Sequence, residues 1–245
     1  MGDVTPRPSS RRAGAVWRVG WTVVSILVVE VIVCGLAVLP VVIAWVELGA
    51  WTTFPGGVGP VVFSLLIVPS YVAFALSLMI VSAVAMRITG ARTPPDAEMR
   101  IADMEWPLMQ WARYMVAAHI VRVLAGSLFR GSPIWTMYLR LNGARFGRRV
   151  YVNTLFISDH NLLEFGDDVV IGSEVHVSGH IVEAGILKTG SVRLGHNVTI
   201  GLGTVVDIDV VVGASCQVGA LSLVPKHTVL DGGAVYAGIP ARRIH

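Results

Sequence analysis

The sequence predicts a hexapeptide β-solenoid preceded by an α-helical transmembrane hairpin. Two observations carry this prediction. Residues 194–228 repeat with a period of six, and two apolar runs, 21–45 and 58–86, each exceed the roughly 20 residues a helix needs to cross a bilayer. Written in sixes, the repeat reads LGHNVT, IGLGTV, VDIDVV, VGASCQ, VGALSL and VPKHTV, and an aliphatic residue opens every line: Leu194, Ile200, Val206, Val212, Val218 and Val224. A period of six fits neither a helix nor a simple strand, but it fits a triangular coil of three short strands. The opening residue points into the prism. Gly195, Gly201, Gly213 and Gly219 follow it, where a corner needs positive φ or close backbone approach. The fifth position (Val198, Thr204, Val210, Cys216, Ser222, Thr228) is mostly small or β-branched, because it also faces a narrow interior.

The elements follow in chain order. Hydrophobic residues make up 54% and charged residues 14%, a balance unusual for a soluble domain. Residues 1–15 are rich in Pro, Ser, Arg and Gly and are expected to be disordered. Residues 16–87 form the two-helix hairpin. Arg11, Arg12, Arg18, Arg87 and Arg92 lie at its outer ends and none lies in its connecting loop, so both termini are expected in the cytoplasm of an inner-membrane protein. Arg11-Arg12 as an export signal is disfavoured, because the apolar run is too long for a signal core and a second run follows. Glu30 inside the first run implies a polar contact between spans, a cavity, or a protonated carboxyl in a helix bundle. Residues 88–142 read as a linker and an interfacial helix over 106–129, with Trp106, Trp111 and Tyr114 as headgroup anchors; a third span there would have to carry Arg113 and Arg122. Gly131-Ser132-Pro133 ends this helix, and residues 143–245 form the solenoid. The repeat positions Phe146 and Phe165 are nineteen residues apart, and Ile171 and Leu194 are twenty-three apart, against eighteen for one coil. The second interval therefore holds an excursion between Val177 and Leu194, of the kind that becomes a loop on a binding face.

The net charge of +3 places basic residues beside apolar runs, which fits membrane orientation rather than nucleic acid. Cys34 and Cys216 are too differently placed for a disulfide, and no metal-binding spacing appears. The repeat, with the close Gly238-Ile239-Pro240-Ala241-Arg242, resembles the left-handed β-helix (hexapeptide-repeat) acyltransferase family. From residue 106 onward the chain also resembles the membrane-associated terminal domains of poly-lysine-type nonribosomal peptide synthetases. The resemblance rests on the Gly-Ser-Pro break, Tyr138-Leu139-Arg140-Leu141 with Gly143-Ala144-Arg145, the His180 loop, and residues 219–224.

What the resemblance implies is a membrane-anchored acyltransferase. It would move an acetyl or aminoacyl group from acyl-CoA or a carrier-protein thioester to a hydroxyl or amine on a small molecule, glycan or peptide, with no permanently bound cofactor. A homotrimer is implied as well. Such an acceptor needs a base to take its proton, and histidine suits the role. His180, in the excursion, is the candidate, with Glu183 as its orienting partner and His160, beside Asp159, in reserve. His119, His176, His196, His227 and His245 read as helix or surface residues. Lys226, Gly238, Arg242 and Arg243 are the candidate cofactor-binding residues, the cations against the phosphates of coenzyme A. The alternative is a non-catalytic trimeric scaffold or partner subunit of a synthetase.

Overall fold

A computed structural model describes residues 8–51 and 58–244; of residues 8–13, 50 and 51 only the backbone is described. Helix α1 spans Pro8–Trp51 and α2 spans Val58–Thr89. Residues 8–15, expected to be disordered, are therefore helical; residues 1–7, the tip 52–57 and His245 lie outside the described residues, as do the side chains of Arg11 and Arg12. Helix α3, Trp106–Val121, continues through a π-helical turn at Arg122–Gly126 to Phe129. Three helical stretches, Gly14–Gly49, Val58–Thr89 and Trp106–Phe129, are long and apolar enough to cross a membrane, by length and composition alone. Large apolar residues such as Val31, Leu65 and Val68 are exposed along the first two.

The junction behaves as the Gly-Ser-Pro signal suggests. Ser132 caps the helix Pro133–Leu141 by accepting a bond from Trp135 N, and Pro133 occupies its first turn, where a missing N–H costs nothing. Trp135 and Tyr138 are buried against the first strands, and Trp135 Nε1 donates to Thr154 O at 3.0 Å.

Beyond Arg145, apart from the hairpin of the excursion, the strands fall into three sheets, in which all pairs are parallel except that of the terminal strand Arg242–Arg243. The chain visits each sheet in turn and returns eighteen residues later: Thr199 pairs with Gln217, Val205 with Leu223, and Val211 with Val229. The six line-opening aliphatics are all at most 3% exposed, and Val198, Thr204, Val210 and Cys216 are fully buried, so both inward positions of the repeat pack as expected. The recurring geometry of the corner differs from the simplest expectation. Positive φ falls on the fourth residue of each line, at Asn197, Gly203, Asp209, Ser215, Leu221 and His227. The glycine at the second position has another role. A Cβ on Gly201 would lie 2.5 Å from Ala220 N, and one on Gly213 would lie 2.4 Å from Gly232 N. Close approach of the next coil, rather than left-handed backbone, requires glycine there.

The excursion is an antiparallel hairpin of His180–Glu183 and Ile186–Thr189, and the strand Glu98–Arg100 adds to its edge. Residues 88–105 are thus built into the β domain and do not form a free linker. Cys34 and Cys216 are both free thiols.

Candidate active site

The nineteen-residue interval of the first coil is taken up by a short 3₁₀ turn, His160–Leu162. Asp159 precedes it in left-handed conformation, φ 53°, and is completely buried. Non-glycine residues hold this conformation only where their surroundings fix it, and here five donors do so. Asp159 Oδ1 accepts from Thr93 Oγ1 at 2.7 Å and from Trp111 Nε1 at 3.2 Å. Oδ2 accepts from Ser158 Oγ at 2.8 Å and Gly179 N at 3.1 Å, and pairs with His180 Nδ1 at 2.6 Å. Burial opposes the charge on Asp159, but the bonds from His180, Thr93 and Ser158 outweigh it and hold the carboxyl below its usual range. An ionised Asp159 fixes Nδ1 of His180 as the donor and leaves the Nε2 lone pair available.

Each part of this arrangement comes from a different element. His180 opens the hairpin and keeps 22% of its side chain exposed. Asp159 comes from the coil before it, brought alongside by the bridge between Ile157 and Val177. Thr93 comes from the segment after α2, and Asn161 clasps it there through Thr93 N and O. Trp111 comes from α3 and sets its ring edge-on to the imidazole, centroids 5.0 Å apart. Trp111 and Tyr114 are therefore site residues and not headgroup anchors: Tyr114 is 1% exposed, and its hydroxyl accepts from His160 N at 2.7 Å. Trp106 alone of the three stays exposed, against Trp17.

The other candidates separate. Glu183 does not reach His180. It pairs with Lys226, and with Lys188 at 3.6 Å; strand alternation turns position 183 away from position 180. The lysines hold its carboxyl below the usual range. Lys226 is thereby tied to the hairpin. His160 is 2% exposed among Tyr114 and Tyr138, and burial depresses its pKa to about 4. That makes it a weak base at neutral pH. It lines a cavity of about 310 Å³ together with His119 and Arg122. Gly238 has φ 103°, and its N–H bonds Ser222 Oγ at 3.1 Å; Arg242 and Arg243 are exposed on the terminal strand. His176, His196 and His227 are exposed, as expected; His196 Nδ1 accepts from Asp167 N at 3.0 Å. His119 lies in α3, where Arg122 bonds it.

Asp159 stands about one coil before His180, and the extra residue of its coil marks the site. Thr93 and Trp111 carry no local signal, because they reach Asp159 over sequence separations of 66 and 48.

A coil of six-residue lines carrying an oriented histidine on an excursion is the architecture of a hexapeptide-repeat protein, and comparison with known proteins points the same way. The chain is 30% identical over 179 residues to delta-poly-L-ornithine synthetase of Acinetobacter baumannii (strain AB307-0294), covering 70% of this chain and 13% of that protein. It is 35% identical over 106 residues to galactoside O-acetyltransferase of Escherichia coli (strain K12), covering 40% of this chain and 51% of that protein. A hexapeptide-repeat acetyltransferase of Vibrio cholerae O1 biovar eltor, solved with acetyl coenzyme A, overlaps 42% of this chain and 60% of its own at 21% identity and a TM-score of 0.38. No family model matches. With the repeat, the sequence matches show that the chain is related to the hexapeptide-repeat acyltransferases. It spans about an eighth of the first of these relatives and half of the second.

Proposed function

We propose that this chain is a membrane-anchored acyltransferase that moves an acyl group from a thioester of coenzyme A, or of a carrier protein, to a hydroxyl or amine. The observation that carries the reading is the 2.6 Å contact between His180 Nδ1 and the buried Asp159 carboxylate. In this reading His180 Nε2 removes the proton of the acceptor as its oxygen or nitrogen attacks the thioester carbonyl. The carbonyl electron pair moves onto oxygen. When it returns, the carbon–sulfur bond breaks, and the imidazolium gives its proton to the departing thiolate. The products are an ester or amide and a free thiol. Asp159 is a positioning residue: it holds the ring and its tautomer and stabilises the imidazolium as it forms.

The phosphates of coenzyme A would meet Arg242, Arg243 and the Gly238 turn, with Lys226 exchanging Glu183 for phosphate. The hand of the solenoid is taken as left, as in the family. The two exposed apolar helices support anchoring, and Lys and Arg placement supports a cytoplasmic β domain. The test is incubation of the purified full chain with acyl-CoAs and carrier-bound aminoacyl donors, following thiol release with and without amine and hydroxyl acceptors. Acceptor-dependent release is expected. Its absence with every donor would replace this reading by that of a scaffold.

A further inference from the structure

Helices α1, α2 and α3 enclose a second cavity, of about 290 Å³. It lies towards the β-domain end of the hairpin, since Trp21 and Glu30 of α1 face Ser82 and Thr89 of α2 across it. Most of its lining is apolar, yet Glu30 Oε2, Ser82 Oγ and Arg113 Nε are buried there without a hydrogen-bond partner. Ser82 is only 1% exposed. Helix hydroxyls ordinarily bond a carbonyl of the preceding turn, and Ser64 and Thr89 of the same helix do so, to Pro60 O and Ala85 O, each at 2.8 Å. Ser82 does not.

Glu30 and Arg113 do not neutralise each other either. No ion pair joins them among the described residues, and Arg113 instead donates through Nη2 to Ser25 Oγ at 2.9 Å. Buried polar groups without partners are destabilising, and charged ones most of all. A metal ion or simple cation would be repelled by Arg113, and a simple anion by Glu30. One ligand carrying both charges satisfies both residues at once. The volume is at the small end of the range for ligand sites, which suits one amino acid or one lipid headgroup.

We infer that this cavity binds a small zwitterion, with its ammonium group on Glu30, its carboxylate or phosphate on Arg113, and Ser82 completing the hydrogen bonding. The ammonium must be one that donates hydrogen bonds, because Oε2 of Glu30 lacks a donor. Two sources offer this chemistry: a free amino acid, or a phosphatidylethanolamine headgroup entering from the bilayer. The inference does not rest on the transferase reading.

The experiment uses the full chain, delipidated in detergent. One arm titrates L-alanine and L-lysine by calorimetry, with glycine betaine, which has no N–H, as control. The other reconstitutes the chain with phosphatidylethanolamine or phosphatidylcholine and counts retained lipids by native mass spectrometry. One ligand per chain is expected in at least one arm, and the responding arm identifies the source. Glu30→Gln and Arg113→Gln should each weaken binding tenfold or more, while His180→Ala should bind like wild type. Ala85→Leu, which fills the cavity from its wall, should abolish binding while the chain still melts cooperatively; it decides the matter if the charge variants fail to fold. No binding in either arm, or binding that the controls match and Ala85→Leu leaves intact, overturns the inference.

Discussion

At the scale of single residues, the site turns on which acid faces His180. Loss of the base should lower acyl transfer by a factor of about 10² or more, so His180→Ala should retain its fold by circular dichroism and lose turnover. Glu183→Ala should leave turnover within about twofold of wild type, because its carboxylate serves Lys226 and Lys188. Asp159→Ala should do more than disturb the ring. It strands buried donors from four other residues, and each buried group left unsatisfied costs about 1–3 kcal/mol. Near-normal kcat with unchanged melting in that variant would remove Asp159 from its positioning role.

His160 makes a separate prediction about pH. Its folded pKa, about 4, lies below the ordinary histidine value of 6.5, so the unfolded chain binds the proton more readily. Its contribution therefore favours folding above pH 6.5 and is lost as pH falls from 6.5 towards 4. Between pH 7 and 5 this amounts to about 2 kcal/mol. A His160→Gln variant should show a correspondingly flatter stability profile in chemical denaturation over that window. Asp159 acts in the same direction at lower pH. Its carboxyl is held below the ordinary value, so its stabilisation is present above that value and lost as pH falls through the folded one.

At the scale of elements, the repeat is governed by how closely coils stack. Gly201→Ala pushes a methyl group into Ala220 N of the next coil, and overpacking of this kind costs about 1–3 kcal/mol or more. A drop in melting temperature of several degrees is expected; wild-type melting would mean that the corner has room to open. The excursion hairpin illustrates the same stacking at its edge. Thr189 Oγ1 accepts from Ala97 N and donates to Pro94 O, so a side chain adds to the backbone pairing that fixes the segment after α2 to the hairpin. The apolar helices and the site are thereby mechanically joined.

At the scale of the whole molecule, topology and assembly can be tested directly. A C-terminal reporter should be active only in the cytoplasm, as the positive-inside reading of Lys and Arg predicts; activity outside the cell would make α3 a third span. We expect a homotrimer, as the family resemblance implies, and mass measurement in nanodiscs checks it. A fully active monomer would place the site within one chain. Glu30 has no need of its copies in such a trimer, because it faces the cavity inside its own helices.

The sequence by itself determined the repeat, its inward positions, the break at Gly131-Ser132-Pro133, the apolar helices and the place of His180 in the excursion. All of these are local: a period, a cap and a run of apolar residues are written in consecutive positions. Only the tertiary structure decided what surrounds His180. Glu183 is near it in sequence, but alternation along the strand sends it to the lysines. Asp159 is twenty-one residues away, and the stacking of one coil on the next brings it into contact. The same holds for Thr93 and Trp111, and for the meeting of Glu30, Ser82 and Arg113 from three helices. A buried polar group is satisfied, or left wanting, by whatever the packing brings near it, and sequence spacing does not encode that neighbour.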